Sequence, residues 1–264
     1  VHGWFEEWLQ TEWWDLQVFT ANLTEQYAQV AVVGPQARTV LGSLGGLDVS
    51  AEALPFMGWA EGTLAGIPAR VFRISFSGEL SYEVAVPAGQ GQAFWDAVRE
   101  AGAPHGITPY GTEALHVMRA EKGFIMIGDE TDGTVIPQDL GLSWAVSKKK
   151  ADFIGKRAQE RSHLTDPNRK QLVGLETLEP QTVLPDGAHA VEGTRKDGKP
   201  QMIGHVTSTY YSPTLDRSIA MALIKGGARR MGEVLEFPVE KDRTIRARVV
   251  DPVFYDKEGA RQNV

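Results

Sequence analysis

The chain of 264 residues contains no cysteine. Disulfides, thiolate metal sites and a cysteine nucleophile are therefore excluded. No apolar run approaches the ~20 residues that a membrane-spanning helix needs. Cations are outnumbered, with 27 Lys and Arg against 34 Asp and Glu, and the net charge is −7. Nucleic-acid binders concentrate positive charge, so this balance argues against that class of partner. The histidines, at positions 2, 105, 116, 163, 189 and 205, include no pair at helical ligand spacing, and no metal site is expected. Without a secretory or transit pattern, the expected compartment is the cytoplasm. The opening Val-His-Gly-Trp reads as the middle of a helix, so the chain is expected to be a fragment.

What is present is the composition of an ordinary globule, 42% hydrophobic and 23% charged, long enough for one large or two medium domains. The stretch 110–144 organises the rest. Thr112 is placed to cap a helix with Leu115 and Met118 on its core face, and Gly123 sits where a helix stops. Glu121 then falls in the last helical turn, where the macrodipole disfavours a negative charge by roughly 0.3–1 kcal/mol. It needs open solvent beside Lys122 or a donor partner. The apolar run Phe124-Ile125-Met126-Ile127 suggests a tucked helix end, which leaves room for a partner, but from the residues alone a solvated glutamate beside Lys122 is the expectation.

Residues 4–14 place Trp4, Trp8, Phe5 and Leu9 at helical spacing, and core packing is the expected fate of these aromatics. The alternative is a surface that docks a missing segment or another subunit. Segments 17–22 and 28–33 read as strands, 36–41 as a short helix, 62–74 and 80–87 as a paired hairpin, and 90–101 as an amphipathic helix. Alternation in the second hairpin strand sets Tyr82, Val84 and Val86 on one face and Glu83 on the other. The cations Lys148, Lys149 and Lys150 form a solvated face, a contact for an acidic ligand tail, or a partner for the acidic loop Asp129-Glu130-Thr131-Asp132. Residues 158–170 are polar and turn-rich, the best candidate for a domain boundary. Short strands follow at 172–176, 202–207, 219–224, 234–239 and 245–250, which fits a small β-barrel or sandwich. The expected fold class is α+β, with domains at 1–157 and 158–264.

Several stretches, taken in order, carry a resemblance: Val33-Gly34-Pro35, Leu54-Pro55-Phe56-Met57, Ser77-Gly78-Glu79 with Glu83, Arg119-Ala120-Glu121-Lys122-Gly123, Leu142-Ser143-Trp144 and Gly204-His205-Val206-Thr207-Ser208. Together they resemble the aminomethyltransferases, the T-protein family of the glycine cleavage system. The details at 74–79, 148–157 and 206–213 are similar to the carboxy-terminal half of the alpha subunit of heterotetrameric sarcosine oxidases.

The resemblance implies an aminomethyltransferase folate-binding fold, incomplete at its amino terminus, followed by a carboxy-terminal β-barrel. It implies tetrahydrofolate as the one-carbon acceptor, with 5,10-methylenetetrahydrofolate as product. Flavin and NAD are expected on other parts of the complex, and a flavin-bearing beta subunit and small subunits as partners. Glu121 matches the glutamate that holds the pterin, and Glu83 a glutamate near the folate, which makes Glu83 the one catalytic candidate. The family's one-carbon-transfer aspartate lies in a segment that this chain does not contain. Charge complementarity makes Tyr210 and Lys149 candidates for the folate's glutamate tail. The rival expectations are a free-standing aminomethyltransferase or folate-dependent demethylase, and a non-catalytic assembly module.

Overall fold

The computed structural model describes residues 1–240 and 243–264. By its internal contacts the chain divides into two compact units, one of residues 1–75, 79–109 and 261–264, the other of residues 76–78 and 110–260. The boundary expected at 157/158 falls inside the second unit.

The first unit opens with α1 (His2–Thr11), none of whose residues is buried. Core packing, the expected fate of its aromatics, is therefore not what the structure shows. Trp4 and Trp8 meet edge-on at 5.9 Å and Trp8 stacks on Trp13 at 5.3 Å, so the rings cover one another while Trp14 stays 77% exposed. The strand expected over 17–22 does not form either. That segment is irregular, with Phe19 98% exposed, and is tied back only where Thr20 donates to Glu6.

The sheet of this unit has the order β1-β4-β3-β2, all antiparallel: β1 (Tyr27–Val33), β2 (Trp59–Leu64), β3 (Ile67–Phe72) and β4 (Ser81–Pro87). The single strand expected over 62–74 is instead folded back on itself. Ala65 and Gly66 both take positive φ, and Leu64 pairs with Ile67 across that turn. Tyr82, Val84 and Val86 alternate into the core as their spacing required. They pack with Val40 and Leu41 of α2 (Ala37–Ser43) and with Phe94 and Val98, one helical turn apart on α3 (Gly91–Gly102). Each such fully buried side chain contributes roughly 1.5–3 kcal/mol.

The second unit begins with α4 (Thr112–Glu121) and, after a stretch of turns and the single turn of α5 (Lys156–Gln159), closes a barrel. Its strands are β5 (Lys170–Thr177), β6 (His189–Thr194), β7 (Pro200–Ser212), β8 (Arg217–Lys225), β9 (Val234–Glu240) and β10 (Arg243–Val250), in the order β10-β5-β8-β7-β6-β9. The inner face is apolar, with Val173, Leu175, Val206, Ala222, Ile224 and Phe237 among its buried residues. The outer face of β5, β7 and β8 is apolar as well. Leu172, Ile219, Met221 and Leu223 there pack against Ala120 of α4, with Tyr210 and Phe254 at the margin. This second layer lays the carboxy-terminal end of α4 against the barrel wall.

Candidate functional site at the end of helix α4

Thr112 is the first residue of α4 rather than its cap; Gly111 takes the cap position, with no capping side chain. The core face also differs from expectation. Leu115 and Met118 are only partly buried, whereas Arg119, Ala120, Glu121 and Lys122 are all buried. The helix stops at Gly123, whose φ of +72° suits glycine and whose missing Cβ would sit 2.6 Å from the Pro252 carbonyl oxygen. That close approach holds the carboxy-terminal segment over the helix end, where the amides of Phe254 and Tyr255 both donate to the Glu121 carbonyl at 2.9 Å.

Glu121 is only 6% exposed, so the solvated glutamate expected from the residues alone is not what the structure shows. Its Oε1 accepts a 2.5 Å hydrogen bond from Ser212 Oγ at the end of β7, and Ser212 Oγ in turn accepts from the Leu215 amide at 3.0 Å. The adjacent Lys122 does not serve as its counter-charge. Its Nζ lies 3.6 Å from Asp256 Oδ2 and donates to the Asp256 carbonyl. Among the described residues no cation reaches Glu121, and Ser212 is the only hydrogen-bond donor to its side chain. A buried carboxyl group at the negative end of a helix with a single donor retains unused acceptor capacity.

Arg119 and Glu130, both fully buried, lie close by in the same unit. Arg119 Nη1 donates to Glu130 Oε2 at 2.8 Å and to the Phe124 carbonyl at 3.1 Å, and Nη2 donates to Ser208 Oγ at 2.6 Å. Glu130 accepts further bonds from the Met126 amide at 2.7 Å, Thr207 Oγ1 at 2.9 Å and Ser208 Oγ. Sequence reasoning placed Glu130 in an acidic loop whose candidate partners were Lys148, Lys149 and Lys150, and missed this cluster. A usable signal was the hydroxyl-rich run 207–212, with Ser208, Tyr210 and Ser212 at the strand period.

The remaining candidates are less enclosed. Tyr210 is partly buried, its hydroxyl accepting from Arg119 Nη2 at 3.4 Å and the Arg119 guanidinium lying 5.8 Å from its ring centre. Lys149 is exposed, as are Lys148 and Lys150, and none of the three forms an ion pair with the 129–132 loop. Asp129 instead lies 3.4 Å from Arg119, and Asp132 accepts from Thr134. Glu83 belongs to the first unit, where it is half-buried on β4 and accepts from Gln29 Nε2 of β1. Burial raises the Glu83 carboxyl above the ordinary glutamate value, and the Gln29 bond opposes that shift. Among the described residues no cluster of three or more His, Asp or Glu could hold a metal, and no helix is long and apolar enough to cross a membrane.

An α+β unit followed along the chain by a closed barrel defines an architecture of the glycine cleavage T-protein type. Residues 1–150 match the GCVT N-terminal domain, and residues 170–256 the glycine cleavage T-protein C-terminal barrel domain. The chain belongs to this aminomethyltransferase family.

Over its whole length it is 48% identical to sarcosine oxidase subunit alpha of Corynebacterium sp. (strain U-96), of which it covers 28%. Over 97% of its length it is 43% identical to the same subunit of Rhizobium meliloti (strain 1021), covering 26% of that protein. The aminomethyltransferase of Desulfitobacterium hafniense (strain DSM 10664 / DCB-2) is 29% identical over 96% of this chain and 66% of its own. Among solved structures, the glycine cleavage system aminomethyltransferase T from Bartonella henselae superposes with a TM-score of 0.73 at 26% identity, over 88% of this chain and 60% of that one. The chain thus spans little more than a quarter of the sarcosine oxidase subunits that it matches.

Proposed function

We propose that the chain is the folate-binding module of a sarcosine oxidase, in which the carbon from the N-methyl group of sarcosine is captured on tetrahydrofolate as 5,10-methylenetetrahydrofolate. The observation that carries this reading is Glu121, buried at a helix end with one hydroxyl donor and no cation among the described residues. A pterin edge offers several N–H donors to one carboxylate, and so supplies what this acid lacks. Relatives named sarcosine oxidase subunit alpha over the full chain support the assignment to sarcosine, and those named aminomethyltransferase support one-carbon transfer.

In this reading Glu121 orients the pterin; Glu83, on the first unit, is the catalytic candidate, its carboxyl made more basic by burial. Tyr210 and Lys149 are the candidates to meet the acidic glutamate tail. Bound there, the reduced folate supplies the amine nitrogens that take up the carbon. The flavin and NAD belong to other parts of a cytoplasmic complex, whose flavin-bearing beta subunit and small subunits are the expected partners.

The test is calorimetric titration of the chain with tetrahydrofolate, beside Glu121→Gln. Saturable binding that the substitution weakens by about 1.5 kcal/mol, roughly tenfold in affinity, is the expected result. Binding indifferent to the substitution would remove Glu121 from the site. No binding by either folded protein would favour the reading of a non-catalytic assembly module.

A further inference from the structure

The end of α4 is pinned to β7 at two points. Arg119 Nη2 holds Ser208 Oγ at 2.6 Å, and Glu121 Oε1 accepts from Ser212 Oγ at 2.5 Å. Ser208, Tyr210 and Ser212 pair with Met221, Ile219 and Arg217 of β8 at every second position, so they share one face of the strand. Four residues of strand separate the two anchors by roughly 13 Å. One anchor would leave the helix end free to turn about it, whereas two fix its direction as well as its place.

The Arg119 anchor is itself built with care. A register shift between Val206 and Ser208 leaves Thr207 as an extra residue opposite β8. In a regular strand Thr207 and Ser208 would point to opposite faces, but at the bulge both hydroxyls reach Glu130 Oε1. Glu130 then closes on Arg119 and ties down the Met126 amide, so helix end, loop and barrel strand meet in one group of hydrogen bonds.

We propose that Arg119 and Glu130, with the Thr207 bulge, are positioning residues that aim the Glu121 carboxyl group into its ligand site. This rests on the reading of Glu121 as the folate-binding acid. Neither residue touches the ligand; both act through Glu121.

The test is a double-mutant cycle. Replacing the ion pair by Arg119→Met with Glu130→Met keeps apolar volume in the core, an exchange that buried pairs often tolerate. With the chain still unfolding cooperatively, tetrahydrofolate affinity is expected to fall about tenfold or more, the scale seen when groups that orient a binding residue are lost. Glu121→Gln should then cost little further, although it costs its full effect in the unaltered protein. Arg119→Lys, which keeps the charge but not the planar fork, should restore part of the affinity when Glu130 is intact. Unchanged affinity in the paired variant, or a Glu121→Gln effect of the same size in both backgrounds, would overturn the proposal.

Should the paired variant fail to fold, Thr207→Val replaces it in the same cycle. It removes one donor to Glu130 and leaves the ion pair, with an expected loss of a few fold; an unchanged affinity there likewise overturns the proposal. If the unaltered chain binds no tetrahydrofolate, the folate reading fails by itself. The positioning claim is then decided by the Glu121 carboxyl-carbon resonance, which the paired variant must displace; an unmoved signal overturns it.

Discussion

Two buried glutamates lie in the second unit, Glu121 as the last residue of α4 and Glu130 in the loop after it, and the protein treats them oppositely. Glu130 accepts hydrogen bonds from Arg119, Met126, Thr207 and Ser208, and faces a guanidinium at 2.8 Å. Glu121 accepts from Ser212 and faces no cation among the described residues. A buried charge that exists for the fold is expected to be saturated, because every unmet hydrogen bond there costs about 1–3 kcal/mol. A buried acid left short of donors points instead to a ligand that brings its own. The contrast between neighbours separates a binding acid from a structural one where burial alone would not.

The largest effect expected from this contrast is on stability, and it belongs to Glu130. Glu130→Ala strands a fully buried arginine and should cost about 3–5 kcal/mol, measured by urea denaturation. Glu121→Ala leaves only Ser212 with an unused donor, and should cost far less. If the two substitutions destabilise equally, the distinction between a saturated and an open acid collapses.

The same contrast shows how much the sequence discloses. Glu121 was legible only in part: the helix stop at Gly123 and the apolar run behind it raise the question of a partner, but the residues alone favour a solvated acid, and its burial corrects that. Glu130 was not legible: three acids in four residues look solvated, and only the long reach of Arg119 across to β7 makes one of them internal. Among the barrel strands β10 was readable from its buried alternation and β8 from its apolar run, buried along nearly its whole length. β6 was missed because only Ala190 is buried and only Val191 partly so, in a strand whose other residues are exposed. The turn at Ala65–Gly66 was overlooked because the residues flanking it continue an apolar strand pattern. The 17–22 strand was wrongly expected from local pattern alone, which does not supply a pairing partner.

Ser212 offers a finer test. Ser212→Ala removes the one donor to the Glu121 side chain among the described residues and the acceptor of the Leu215 amide, and should cost about 1–3 kcal/mol in the free protein. Bound tetrahydrofolate, by donating to the same acid, should shrink that difference. A loss that is identical with and without ligand would mean that Ser212 and the ligand do not share Glu121.

The smallest effect expected is that of Glu83, the acid of the first unit, and it is read in pH rather than in affinity. Its carboxyl is raised above 4.5, chiefly by burial, with the Gln29 hydrogen bond acting in the opposite direction. A raised folded value means that the native chain holds this proton to higher pH than the unfolded chain does. The stabilising contribution is therefore complete below 4.5 and is lost as pH rises through the folded value. Glu83→Gln keeps a neutral group at the position throughout, so its melting temperature should exceed that of the unaltered chain at neutral pH, with the two converging in acid. Because the side chain is partly open to water, the difference should be modest. A gap that widens on acidification would reverse the sign, and would mean that the Gln29 bond rather than burial governs Glu83, which would then be a second saturated acid and no candidate base.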